Sequence, residues 1–335
     1  MEGSRPACPT LVLALGGNAI LQPGQRGSFE EQYANVRATA EQLVELLERG
    51  YRLVVTHGNG PQVGNVLLQN EEAAATVPPM PLHACGAMTQ GLLGYMLQQA
   101  LGNAAARRGL SLTAATVVTQ VVVRPDDPAF NHPSKPVGPF YDAAEARRLA
   151  AERGFCMRED AGRGWRRVVP SPEPLAIREL PVIRRLLAEG VVVIAAGGGG
   201  VPVRALGDEG ELAGVDAVID KDLAAARLAM ELGADGLFIL TDVEAVALDW
   251  GTPRQRSLGR VSPGELRRYQ TEGHFAGGSM GPKVEAALRF VEAGGARAGI
   301  GALHQALAVV EGRSGTQIVP EPAAGSLEAV PARIL

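Results

Sequence analysis

The chain has 335 residues, 46% hydrophobic and only 4% aromatic, enough to bury a large aliphatic core in one or two domains. Its formal net charge of −4 supplies no whole-chain attraction for nucleic acid or an anionic membrane, so any basic site is local. Cys8, Cys85 and Cys156 show neither CxxC nor Cys/His metal spacing, MEGSRPACPT lacks a signal-peptide pattern, and no apolar run nears the roughly 20 residues of a membrane helix, so a soluble cytoplasmic protein with reduced thiols is expected.

In chain order, LVLAL (11–15) reads as a strand, and SFEEQYANVRATAEQLVELLERG as a helix capped by Ser28, with Glu31 three residues on and Gly50 at its end. RLVVTH (52–57) is the second strand. A helix near 86–108 follows, then a strand over ATVVTQVVV (115–123), a helix near 173–189, the strand VVVIAA (191–196), a helix near 222–232, the strand GLFILT (236–241) and a helix near 281–293. Strand then helix, repeated, predicts an α/β fold: a three-layer α/β/α sandwich around a mainly parallel sheet.

One segment breaks the rhythm. VVVRPDDPAFNHPSKPVGPFY holds Pro125, Pro128, Pro133, Pro136 and Pro139, too many for a helix or a central strand. Residues from about 122 to 172 are therefore expected to protrude as a small subdomain from a single domain spanning 1–319. The Pro- and Ala-rich segment 320–335 is expected to be a loosely ordered tail.

Four strands run into turns that suit an anion: LALGGNA (Gly16, Gly17, Asn18), THGNGPQVG (Gly58, Asn59, Gly60), AAGGGGVP (Gly197 to Gly200) and the looser TDVEAV from Thr241. In a parallel sheet such turns share the carboxyl-end edge, where backbone N–H groups and helix starts approach an anion closely. None matches GxxxxGK[ST] or GxGxxG, which removes the signatures of a Walker-type ATPase and a dinucleotide-binding dehydrogenase. His57, at a strand end beside glycines, reads as a packing residue, because phosphoryl transfer to an anionic acceptor requires no general base.

Lysine occurs only at Lys135, Lys221 and Lys283, so of 32 basic residues 32 − 3 = 29 are arginine. Lys283 follows Pro282 at an expected helix start, where a cation opposes the helix dipole unless an anion shares the site. Lys221 stands at another helix start, with Asp222 placed to cap the helix and Asp220 on the strand side. Lys135 lies in the proline-rich excursion. An ammonium is a compact charge on a flexible stem, suited to following a phosphoryl group where an arginine would fork to it.

ALGGNAI, THGNGPQVG, PLHACGAMTQGLLGYM, PSKPVGPFY, AAGGGGVPV, AVIDKDLAAA, LTDVEAVALDWG and GSMGPKVEAA together resemble the carbamate kinases of the amino acid kinase fold, over nearly the whole chain except its two ends. That resemblance implies reversible phosphoryl transfer between carbamoyl phosphate plus ADP and carbamate plus ATP, with Mg²⁺. It further implies an ATP-forming role in arginine breakdown and a homodimer whose other partners are only these small molecules. Gly16, Gly17, Asn18, Gly58 and Asn59 would donate to carbamate and the moving phosphoryl group, with Gly60, Gly198 and Gly199 beside them. Lys221 and Lys283 would hold nucleotide phosphates with Asp242 and Met280 nearby, Asp222 would orient the lysines, and Lys135 would reach in from the subdomain. His83 and Ala247 depart from the Asp and Tyr common in relatives, a difference that bears on nucleotide affinity. No metal ligands are assigned. A nucleotide-binding module without catalysis, or a kinase of another small acid on the same fold, stays open.

Overall fold

A computed structural model describes residues 8–160, 162, 164–207, 210–275 and 280–321. Of the expected tail, only Pro320 and Glu321 fall among them.

The central sheet runs, in spatial order, β15 (Arg260–Val261), β17 (Thr316–Ile318), β16 (Arg297–Ala302), β12 (Gly236–Thr241), β1 (Thr10–Leu15), β2 (Arg52–His57), β9 (Val192–Ile194) and β3 (Ala114–Thr116). From β16 to β3 all neighbours are parallel, and only the β16–β17 pair is antiparallel. Period-two alternation explains why both faces are covered. On β1, Val12 and Ala14 enter a core shared with α5 (Leu180–Ala188), α6 (Lys221–Leu232), α7 (Pro263–Thr271) and α8 (Met280–Glu292). Leu11, Leu13 and Leu15 enter the opposite core with α1 (Phe29–Glu48), α3 (Leu82–Arg107) and α9 (Ala306–Val310). Each fully buried leucine contributes about 1.5–3 kcal/mol. The α/β/α sandwich with a mainly parallel sheet is thus the fold of the chain.

The capping box at Ser28 and Glu31 forms as the sequence dictates. Several boundaries move. The expected strand 115–123 splits, because after β3 the chain leaves the main sheet and re-pairs as β4 (Gln120–Val122) in a second sheet ordered β11 (Glu211–Gly214), β10 (Val201–Leu206), β4, β8 (Ala176–Ile177). That second sheet also claims the first part of the expected helix 173–189, so α5 begins only at Leu180, with Pro181 in its first turn. Pro282 is the third residue of α8 rather than its first, since the helix already starts at Met280. The sequence pattern did not reveal α2 (Gly60–Ala73), or β16, whose RAGIGA carries two glycines.

Within 122–172, β5 (Lys135–Tyr141), β7 (Trp165–Val169) and β6 (Met157–Glu159) form an antiparallel sheet of their own, joined through α4 (Ala143–Arg153). It docks on α2 where glycine meets glycine: a Cβ on Gly64 would lie 3.0 Å from Gly138 Cα. This close approach carries Lys135 toward the sheet edge. A last small pair, β13 (Ala247–Leu248) and β14 (Arg256–Ser257), follows β12. Among the described residues no helix is long and apolar enough to cross a membrane.

Candidate active site

Strand register places the reactive edge. Leu15 pairs with both His57 and Leu240, and Val55 with Ile194, so the turns after β1, β2, β9 and β12 emerge side by side. They wall a cavity of about 460 Å³ whose other side is made by the starts of α2, α6 and α8 and by β5. Three helix starts facing one space bring their positive dipole ends to it. All three lysines of the chain, Lys135, Lys221 and Lys283, line this cavity.

Two aspartates organise them. Asp220, with extended backbone, is the N-cap of α6: its Oδ1 accepts from the N–H groups of Asp222 (2.9 Å) and Leu223 (3.3 Å). Its Oδ2 accepts from Lys135 Nζ at 2.7 Å. The cap expected of Asp222 therefore belongs to Asp220, because the helix begins one residue earlier, at Lys221. That shift frees the Asp222 carboxylate, which pairs with Lys221 through Oδ1 and with Lys283 through Oδ2 at 3.1 Å. Burial alone would raise the Asp220 carboxyl, but the Lys135 ammonium, Lys221 and the Asp222 N–H together outweigh it and hold the group below the ordinary carboxylate range. Burial lowers the Lys221 ammonium, and neighbouring Lys283 adds to that, while Asp222 opposes both. Asp242 at the end of β12 is of a different kind: it is exposed, accepting from Asn18 Nδ2 at 2.8 Å and from Thr241 Oγ1 at 2.9 Å. Among the described residues no ammonium or guanidinium pairs with it.

The glycine loops divide into framework and lining. Gly16 N–H donates to Leu240 O and Gly58 N–H to Leu15 O, so these two amides are committed to the sheet. Gly17 and Gly60, in contrast, are exposed at the cavity. Gly198, at φ +66°, lets the side chain of Asn59 lie against its backbone, where a Cβ would come within 2.2 Å of Asn59 Nδ2. Gly199 is buried against Ile219 O and does not line the cavity, and Met280 packs into the core under α8. His83 bonds Asp216 (3.1 Å) in a separate hollow, and Ala247 is buried in β13. Neither borders the cavity. Asp220 as cap and lysine partner was the main omission of the sequence pattern, although an extended Asp followed at i+2 and i+3 by helix is the ordinary capping signature.

His57 is 1% exposed, and its Nδ1 lies 2.9 Å from Gly58 O. Burial lowers its pKa to about 4, so it is neutral and outside the cavity lining. Between its ordinary value of 6.5 and about 4 the unfolded chain takes up a proton that the native state refuses, so stability falls as pH falls through that window. The full cost approaches about 3 kcal/mol by pH 4. The urea midpoint should already decline between pH 6.5 and 5, above the range of paired carboxylates; a flat midpoint there would refute this.

The model of the Amino acid kinase family matches residues 9–301. The carbamate kinase of Pyrococcus furiosus is 54% identical over 312 residues, covering 92% of this chain and 99% of that protein. The carbamate kinase of Halobacterium salinarum is 48% identical, over 92% of this chain and 98% of its own length. Among solved structures, a carbamate kinase from Giardia lamblia bound to AMP-PNP superposes with a TM-score of 0.88 at 46% identity, covering 94% of this chain and 99% of that one. The chain therefore belongs to the amino acid kinase family, as one of its carbamate kinases.

Proposed function

We propose that the protein moves a phosphoryl group reversibly between carbamoyl phosphate plus ADP and carbamate plus ATP. The observation that carries this reading is the convergence of every lysine in an arginine-rich chain on one glycine-walled cavity, each held by a buried or half-buried aspartate. Lys221 and Lys283 draw the nucleotide phosphates, Asp222 keeps the two ammoniums apart and aimed, and Lys135 meets the group in transit from the β5 side. In the ATP-forming direction a terminal oxygen of ADP attacks the phosphorus of carbamoyl phosphate, the bond from phosphorus to the carbamoyl oxygen breaks, and carbamate leaves with the electron pair. No proton is transferred, which agrees with a neutral, buried His57. A loose transition state of this kind asks for alignment and charge neutralisation, and the lysines and loop amides supply both.

Among the described residues, three lysines and three carboxylates (Asp220, Asp222, Asp242) line the cavity, and of the carboxylates only Asp242 has no ammonium paired with it. This donor set fits Mg²⁺ arriving on phosphate oxygens, since that ion is commonly held by one or two carboxylates together with substrate phosphates. Asp242 would hold it, and the ion's contribution is to neutralise phosphate charge. An acyl phosphate gives up its phosphoryl group downhill to ADP, which supports the ATP-forming direction; a place at the end of arginine breakdown rests on the family resemblance alone. The exposed stripe Met88, Leu92 and Tyr95 on α3 supports a homodimer, countable by sedimentation velocity. The free thiols of Cys8, Cys85 and Cys156 suit the cytoplasm.

The deciding experiment supplies Mg-ADP with carbamoyl phosphate and reads ATP by luciferase, beside ATP consumption with carbamate, acetylglutamate, aspartate and UMP. ATP formed from carbamoyl phosphate, with no turnover of the other acids, is the expected result. Nucleotide binding by calorimetry with no ATP formed would make the protein a sensor instead.

A further inference from the structure

Asn59 is the N-cap residue of α2, yet its side chain makes no capping bond. An asparagine there ordinarily accepts from the N–H of the second or third helical residue and stabilises the helix by about 1 kcal/mol. Here the amide is turned away and locked elsewhere. Its Nδ2 lies 2.8 Å from Thr89 Oγ1, inside helix α3, and its face lies against Gly198.

Proton counting settles which end of the amide points where. Thr89 is fully buried, and its Oγ1 also stands 2.8 Å from Gly86 O. A carbonyl only accepts, so the single hydroxyl proton of Thr89 is spent on Gly86. Thr89 then has only lone pairs to offer Asn59, and only the NH₂ end of the amide can answer them. The reversed orientation would leave two acceptors at each short contact sharing one proton. Asn59 Oδ1 is therefore the end left over. Among the described residues, only Thr116 Oγ1 and Gln317 Oε1 are sealed from solvent without a partner, so Asn59 Oδ1 keeps solvent contact, and Asn59 is one of the residues that line the cavity.

The carboxylates of this lining already have donors, Asp220 and Asp222 from the lysines and the cap of α6 and Asp242 from Asn18 and Thr241, whereas Asn59 Oδ1 has none among the described residues. It finds a use only if the ligand brings a donor of its own. Carbamoyl phosphate brings one beyond its phosphate: the NH₂ on its carbonyl carbon. We infer that Thr89 is a positioning residue, which by fixing the Asn59 amide presents Oδ1 to the substrate's amino group and so selects carbamoyl phosphate over acyl phosphates with a methyl group in that place. This rests on the phosphoryl-transfer reading and gives the Asn59 side chain an accepting role, where the family resemblance implies that Asn59 donates. A site that hydrogen-bonds a substrate N–H rejects the analogue lacking it, because its own buried group is left unpaired.

The test compares carbamoyl phosphate with acetyl phosphate as phosphoryl donor to Mg-ADP in wild type, Thr89→Ser and Thr89→Val. Thr89→Val frees the amide to flip, so the ratio of kcat/KM for the two donors should fall about tenfold or more, with KM for Mg-ADP unchanged. Thr89→Ser keeps the hydroxyl and should keep the ratio. If the valine variant does not fold, Thr89→Ala removes the same hydroxyl with a smaller side chain. A wild-type ratio in Thr89→Val or Thr89→Ala, or a lost ratio in Thr89→Ser, overturns the inference. Absence of ATP formation by the wild type overturns the underlying reading instead.

Discussion

Lys221→Arg should give a folded protein whose rate of ATP formation is down about 10²- to 10³-fold, the cost typical of losing one preorganised donor at a reacting centre. The substitution keeps the positive charge, so charge alone would predict little change. Shape decides otherwise. The Lys221 side chain is only 15% exposed, and its ammonium is held by Asp222 at the first turn of α6. A guanidinium is planar, longer and directed as a fork, and it brings donors that a single carboxylate oxygen in a closed wall cannot meet. It is also a permanent cation, whereas burial lowers the Lys221 ammonium. Lys221→Met, which removes the charge at similar length, should lose at least as much. Single-turnover rates beside thermal melting check both variants; an arginine variant within threefold of wild type would show that position 221 needs only a charge.

Asp222→Ala should be the most destabilising single change in the cavity, by about 3–5 kcal/mol, because it removes the carboxylate that two buried ammoniums share. The Asp222 side chain is 4% exposed and that of Lys283 8%, so water cannot substitute for the carboxylate as it would at a surface pair. Asp242→Ala, at an exposed residue, serves as the control and should cost about 1 kcal/mol or less in stability. For a chain of this size the Asp222 variant should melt about 4–7 °C lower. Pyrophosphate should return more of that loss than it adds to wild type, since it supplies the missing anion between Lys221 and Lys283. Equal stabilisation of the two proteins by pyrophosphate would mean that Asp222 serves the fold without organising an anion site.

The same residues show how far the sequence could be read. Period-two runs at 11–15, 52–57 and 236–241 specify their strands because both faces of each must be covered by helices, and the Ser28–Glu31 capping box specifies its helix locally. Run composition did not specify where one sheet ends. ATVVTQVVV is uniformly β-prone, and it is the pairing of Gln120–Val122 with Val201–Val203 and with β8 that carries its second half into another sheet. The glycine loops were legible as a class, but the same residue type performs several jobs here. Gly17 lines the cavity, Gly16 ties into the sheet, and Gly199 makes room for a carbonyl.

By itself the sequence determined the α/β layering and the scarcity of lysine, since periodicity and residue choice are local properties of the chain. Only the tertiary structure decided that Lys135, 85 positions before Asp220, would share its carboxylate, and that Asn59 would answer to Thr89 rather than cap its own helix. Those contacts depend on which helix and which strand come to one edge. That is set by how the two cores close over the sheet, and no short stretch of sequence contains it.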